Sequence, residues 1–328
     1  MNILVLQMKR IGDLVLTVPA LAALRPRFPD ARITLVVSGE CKSLLPAIVP
    51  VDERLAYSRR EGNDGVWSAI WKTDWDVCLD FTGNDRSALM TWVSRAKRRI
   101  TFDWVRQKFF KKLAYNEFVE SSVRLNHTVD HYLDLLKSLG CREAAADVSG
   151  QFKSTDQPDR TDLVLVHPGT ARPEKYWLPE RWAEVVGELQ KRGRRVVVTC
   201  GPDSFEQNHV ELIVASLRKN GLQSPEVVYP ASLLELAARI EGAGLVISCD
   251  TAVVHIAAVS ERPQIVLFGP TNPFHWRPRH AKGVVISAAQ PGEPLTVFDP
   301  KMKGAAMDAI PIQTVLAAVD GLSVRNVA

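Results

Sequence analysis

The chain has 328 residues, the usual length of about two domains, and 46% of them are apolar, which is enough for two hydrophobic cores and excludes a disordered chain. The formal net charge is only +4, no window holds the roughly 20 uninterrupted apolar residues of a membrane span, and residues 1–6 are too short an apolar run for a signal peptide before Lys9 and Arg10. Five scattered cysteines without a CxxC pair argue against disulfides and zinc ligation; they read as small buried hydrophobes of a cytoplasmic protein.

Residues 3–6 read as a buried parallel strand and residues 14–24 as the apolar helix that follows it, the opening of a βαβ unit. The loop between them, Gln7-Met8-Lys9-Arg10-Ile11-Gly12-Asp13, is neither GxGxxG nor a P-loop, which argues against the usual dinucleotide and phosphate cradles. Asp13 at the helix start either caps it or faces the crevice at the carboxyl end of the strand, where open α/β sheets bind ligands. A second strand is expected over 33–37, a short helix over 43–48, and a helix over 64–72 in which Trp67 and Trp71, four residues apart, mark a core face. The strand 75–80 runs into a polar loop carrying Thr82, Gly83, Asn84 and Arg86, and a further strand is expected over 99–102.

The charge is unevenly placed. Arg95, Lys97, Arg98, Arg99, Arg106, Lys108, Lys111 and Lys112 stand against Asp103 alone, with Trp104, Phe109 and Phe110 interleaved. This pattern suits a lipid interface or a large amphipathic anionic partner, or else a solvated helix with its aromatics turned inward. His127 and His131 have the spacing of a metal pair, but no third ligand is evident; the leucines at 133, 135, 136 and 139 mark an amphipathic helix instead.

Residues 140–160 lack periodicity and hold the expected boundary between domains 1–150 and 151–328. A new sheet begins at 163–166 and ends in His167-Pro168-Gly169-Thr170, with Lys175 ahead of a helix starting near Pro179: a diphosphate clamp of amides, hydroxyl and ammonium, or an ordinary βα loop. The strand 195–200 precedes Glu206, in the first turn of a helix, where a carboxylate binds ribose hydroxyls or complements the helix dipole. A strand over 227–229, a helix over 233–240, a strand over 244–248 and a helix over 252–259 follow. Between the last two, Asp250 or Thr251 caps the helix, whose first N–H groups face an anion, and His255 shares a helical face with Thr251. The strand 264–268 and the turn 269–273 follow.

Four motifs occur in order: Ile11-Gly12-Asp13-Leu14 with Pro19-Ala20-Leu21; His167-Pro168-Gly169-Thr170 with Lys175-Tyr176-Trp177; Asp250-Thr251-x-x-x-His255; and Phe268-Gly269-Pro270-Thr271. Together they resemble the ADP-heptose-dependent lipopolysaccharide heptosyltransferases, glycosyltransferase family 9, over nearly the whole chain. The resemblance implies an α/β GT-B architecture of two facing Rossmann-like domains, the first binding acceptor and the second donor, with the active site in the cleft. It further implies inverting transfer of heptose from ADP-heptose to a lipid A–core acceptor of the lipopolysaccharide inner core, with no cofactor, metal or nucleic acid, by a monomer that is cytoplasmic or peripheral at the inner membrane. Asp13 aligns with the general base of the family. Thr170, Lys175, Glu206, Asp250, Thr251, Ala252 and His255 become donor residues, and Lys9, Arg10, Gly12, Thr82, Asn84, Arg86, Arg98 and Arg99 acceptor residues. Ala252 stands where a glycine commonly follows the Asp-Thr pair, and Ala171 where a second hydroxyl often helps bind phosphate. The rival readings are a same-fold transferase using another nucleotide-sugar for a surface glycan, a nucleotide-sugar epimerase or dehydrogenase, and a non-catalytic nucleotide-sugar or nucleic-acid binder.

Overall fold

The computed structural model describes residues 1–58, 62–141, 150–154, 160–280 and 282–325. It divides into two compact units, Met1–Lys153 and Ser154–Ala328; much of the expected boundary stretch 140–160 lies outside the described residues.

The first unit runs β1 (Asn2–Gln7), α1 (Ile11–Arg27), β2 (Arg32–Ser38), β3 (Glu53–Tyr57), α2 (Asp64–Lys72), β4 (Val77–Asp80), α3 (Asp85–Ser94), β5 (Arg98–Phe102), β6 (Glu117–Val119) and α4 (Thr128–Leu135). Its sheet is ordered β3-β2-β1-β4-β5-β6, and every neighbouring pair is parallel. A strand buried on both faces needs a continuous apolar run rather than alternation, and Ile3, Leu4, Val5 and Leu6 are all fully buried. The chain leaves β1 in one direction for β2 and β3, then returns to lay β4 on the other side of β1. The carboxyl ends of β1 and β4 therefore form the switch point at which such sheets hold ligands.

The second unit repeats the plan: β7 (Arg160–His167), α5 (Pro179–Lys191), β8 (Arg195–Thr199), α6 (Ser204–Lys219), β9 (Glu226–Val228), α7 (Leu233–Glu241), β10 (Ala243–Cys249), α8 (Ala252–Val259), β11 (Gln264–Phe268), β12 (Gly283–Ser287) and α9 (Ile312–Arg325). Its sheet is ordered β12-β11-β10-β7-β8-β9, again all parallel, with the switch point between β7 and β10. Trp177 and Trp182 meet edge to face at 5.1 Å inside its core, and the Trp177 indole N–H donates to the Ile310 carbonyl.

Several elements escape the sequence reading. β3, β6 and β12 are edge strands of the sheets; β3 is half-buried throughout and β6 is only three residues long, while β12 holds a short apolar run, Val284-Val285-Ile286, that the sequence reading passes over. α3 buries Ser87, Thr91 and Ser94 beside Ala88 and Met90, so no large apolar stripe marks its face. α9 lies beyond the last turn singled out in the sequence. The expected helix over 43–48 is 3-10 and longer, Gly39–Ala47. Of the two tryptophans expected on a core face, only Trp67 packs against the core; Trp71 is 54% exposed under the Arg95 guanidinium, 4.3 Å from its ring centre. All five cysteines are free and buried. Among the described residues, no helix is long and apolar enough to cross a membrane.

Candidate active site

In the first unit the switch point is tied across its two loops by the Met8 N–H, which donates to the Thr82 hydroxyl at 2.7 Å. Beneath it lies a fully buried carboxylate, Asp80. One of its oxygens accepts the N–H groups of Thr82 and Gly83 at 2.7 and 3.1 Å, and the other accepts the Tyr115 hydroxyl at 2.6 Å. Burial raises the Asp80 pKa from the ordinary carboxylate range against the lowering effect of the Ser87 hydroxyl and these donors. Asp13 does not cap α1. Arg10 holds the N-cap position, and Asp13 stands in the first turn, where a carboxylate suits the dipole. Its Oδ1 accepts a 2.6 Å hydrogen bond from the Tyr132 hydroxyl on α4, and the Lys9 ammonium is 3.9 Å from the same oxygen and 5.5 Å from the Tyr132 ring centre. Tyr132 is fully buried. Burial and the neighbouring Asp13 hold its pKa well above that of an ordinary phenol, so it remains a donor. The Asp13 carbonyl is fixed too, accepting the Thr17 hydroxyl, which in turn accepts from Gln7.

Lys9 on this loop and Gly12 in the first turn of α1 are partly exposed, and Arg10 is exposed. Thr82 and Asn84 serve the loop itself: Asn84 forms a capping box with Ser87 at the head of α3. The Arg86 guanidinium sits over the Tyr57 ring at 4.8 Å. Arg98 and Arg99 are not with these residues, a correction to the acceptor set. β5 pairs Arg98 with Val77, the first residue of β4, so both arginines stand at the amino edge of the sheet. There Arg98 forks onto Glu117 at 2.6 and 2.7 Å, and Arg99 donates to the carbonyls of Ala114 and Ala96. His127 caps α4 with its ring nitrogen, while His131 stacks on Phe102 at 3.8 Å and bonds Ser121.

In the second unit, the carboxyl ends of β7 and β10 are joined by Lys175 and Asp250. The ammonium donates to the carboxylate at 2.6 Å, with the side chains only 12% and 8% exposed. A buried pair of this kind is held by its geometry, because each charge alone would be costly. Thr251 is the N-cap of α8 and makes no side-chain cap bond, leaving the first N–H groups of Ala252 and Val253 pointing out of the helix end. Thr170 is buried, with its hydroxyl accepting from the Arg172 N–H at 3.4 Å. Glu206, in the first turn of α6, accepts the Gly201 N–H at 2.8 Å. It fills the space above both Gly169 and Gly201, where a Cβ on either would push its carboxylate aside. Burial raises its pKa. Tyr176 stacks on His209 at 4.5 Å, and burial next to Glu206 pushes its phenol up to about 12. His255 is buried on α8, its ring tilted toward Trp276 at 6.5 Å.

The sequence reading misses Tyr132, Asp80 and Tyr115. Tyr132 meets Asp13 across 119 positions of chain, a distance no local spacing can reveal. Asp80 is legible only as the last residue of a strand.

The profile of glycosyltransferase family 9 (heptosyltransferase) matches residues 65–303. The chain belongs to this family. Lipopolysaccharide heptosyltransferase 3 of Escherichia coli K12 is 23% identical over 330 residues, 95% of each chain. Lipopolysaccharide heptosyltransferase 1 of the same strain is 25% identical over 293 residues, 83% of this chain and 89% of the relative. The solved structure of E. coli heptosyltransferase WaaC with ADP has 21% identity and a TM-score of 0.80, covering 98% of this chain and 100% of its own. The fold is thus the GT-B fold of the heptosyltransferases, and the protein is a glycosyltransferase; the epimerase, dehydrogenase and non-catalytic readings fall away.

Proposed function

We propose that this heptosyltransferase transfers heptose from ADP-heptose to the lipid A–core acceptor of the lipopolysaccharide inner core, inverting the anomeric centre in a single displacement without a divalent ion. The observation that carries the donor half is the buried Lys175–Asp250 pair at the head of α8. The ammonium and the free N–H groups of the helix end lie on neighbouring loops, and a departing diphosphate needs that positive charge. On donor binding Lys175 shares its three protons between Asp250 and a phosphate oxygen. Asp250 keeps its other oxygen for heptose hydroxyls, and Thr170 adds a hydroxyl. Glu206, held between two glycine turns, accepts from the ribose, and His255 lines the donor pocket. WaaC, whose structure was solved with ADP, supports adenine as the base of the donor here.

On the first unit, the Asp13 carboxylate takes the proton of an acceptor hydroxyl as that oxygen attacks the anomeric carbon. The new C–O bond forms as the bond to the diphosphate oxygen breaks, and ADP leaves from the opposite face. Tyr132 fixes one carboxylate oxygen, leaving the other for the hydroxyl. Lys9 and Arg10 meet the acceptor's phosphates. Use of a nucleotide-sugar donor supports a cytoplasmic enzyme, peripheral at the inner membrane. Calorimetric titration with ADP, UDP and GDP in EDTA tests the donor: tight binding selective for ADP is expected, whereas selective binding of UDP or GDP, or of none, overturns it.

A further inference from the structure

The basic, aromatic segment between β5 and β6 is not a solvated helix with its aromatics turned inward. It folds as two 3-10 turns, Asp103–Gln107 and Lys111–Ala114, joined by an outward bend. Val105, Ala114 and Tyr115 pack with Ala88 of α3 into a small core of their own, which fastens both ends of the segment. What remains faces water: Phe109 is 67% exposed, Phe110 83% and Leu113 64%, with Trp104 at the margin. The two phenylalanines brace each other edge to face at 5.3 Å, and the Lys112 ammonium rests over Phe109 at 5.0 Å. Trp92 of α3, the helix against which the second turn packs, is 62% exposed.

A cluster of large apolar side chains held outward by a fixed scaffold is more than the singly scattered exposure of an ordinary surface. Its charges choose the partner. Arg106, Lys108, Lys111 and Lys112 surround it with Asp103 as the only acid in the segment; Lys111 is tied to Asp85 at 2.8 Å. The phosphates of a sugar acceptor would engage the bases but leave the phenylalanines and Leu113 in water, whereas an anionic bilayer takes both, bases to headgroups and rings to the acyl boundary. The position is apt as well: Trp104 lies against Gly83, whose backbone (φ +65°) and close contact exclude a side chain, and Gly83 is fixed by Asp80 in the loop that receives Met8 and adjoins Asp13.

We infer that the segment 103–114 is a membrane-docking surface for anionic phospholipid, seating the carboxyl edge of the first unit's sheet, and so Asp13, at the lipid headgroups. The inference rests on the lipid-linked acceptor proposed above and adds the means of reaching it. The test is flotation of the full chain with vesicles of phosphatidylcholine alone or with phosphatidylglycerol. Wild type is expected to float with the anionic vesicles only. The double variant F109S/F110S is expected to lose about a hundredfold in vesicle affinity, roughly tenfold for each aromatic no longer buried, and, separately, K108E/K112E at least about tenfold for its pair of bases. Circular dichroism checks that both variants are folded, and because all four side chains are exposed a folded product is expected. Transfer to a deacylated, water-soluble acceptor separates the two readings. Variants that lose vesicles but retain soluble transfer support the inference. Wild-type protein that ignores anionic vesicles, or variants that bind them normally, overturns it even if transfer is intact. Loss of soluble transfer by K108E/K112E with vesicle binding unchanged assigns the bases to the acceptor instead and also overturns it.

Discussion

Replacing Tyr132 by Phe removes a single hydroxyl from the environment of the proposed base. The ring keeps its edge-to-face contact with Phe81 at 5.5 Å and its burial, so the packing loss is slight. What goes is the 2.6 Å hydrogen bond to Asp13 Oδ1. A hydrogen bond to a charged group contributes about 1.5–3 kcal/mol. The Asp13 side chain is 18% exposed, so water replaces part of the lost bond, and the lower end of that range applies. About 1.4 kcal/mol corresponds to a tenfold change in rate. The expected outcome for Tyr132→Phe is therefore a roughly tenfold fall in kcat, because the carboxylate is less well aimed. The KM for the donor and the affinity for ADP should stay unchanged, because those contacts belong to the other unit. Steady-state release of ADP during transfer gives kcat and KM, and calorimetry gives the ADP affinity. An unchanged kcat would refute the aiming role. A fall in ADP affinity to match the fall in kcat would refute the separation of base from donor clamp.

Lys175→Met should abolish tight ADP binding and also lower stability by about 3 kcal/mol, because Asp250 is then left buried without its counter-ion. In denaturant titrations, Lys175→Met/Asp250→Leu should recover most of that stability without recovering ADP binding; equal stability of wild type and Lys175→Met would contradict the pair's role. Asp80→Ala should release the Thr82–Gly83 turn and lower both thermal stability and transfer, while Tyr115→Phe, which removes one of its donors, should do so more mildly. Burial depresses the His167 pKa to about 4, whereas an unfolded imidazole titrates near 6.5. The unfolded chain thus takes up the proton first. The stability contributed by neutral His167 is complete above pH 6.5 and is lost as pH falls toward 4, at up to about 1.4 kcal/mol per pH unit. Unfolding free energies between pH 7 and 5 should therefore slope less steeply for His167→Asn, and an identical slope would count against a neutral, buried imidazole.

The doubly wound pattern can be read from the chain because its inner strands hold unbroken apolar runs, such as 3–6 and 265–268, that suit a sheet covered on both faces. Edge strands such as β3 and β6 offer only short or interrupted runs. The loops that carry chemistry are visible as polar or glycine turns at strand ends, which is why Asp13, Lys175, Glu206 and Asp250 can be singled out together. Their partners cannot be found this way. That Lys175 neutralises Asp250 depends on β7 and β10 being neighbours although 75 positions separate the two residues, and Tyr132 reaches Asp13 because α4 packs on α1. Arg98 and Arg99 show the converse error: a run of bases reads as one surface, but β5 carries these two at the far edge of the sheet, Arg95 and Lys97 precede the strand, and Arg106, Lys108, Lys111 and Lys112 follow it.

The most direct test of the account is transfer by Asp13→Asn with ADP-heptose and a lipid A–core acceptor, measured beside its ADP affinity. Loss of a general base costs roughly 10²–10⁴-fold. The account predicts a fall of that size with ADP binding intact. Normal turnover by Asp13→Asn, or loss of ADP binding along with turnover, would contradict it.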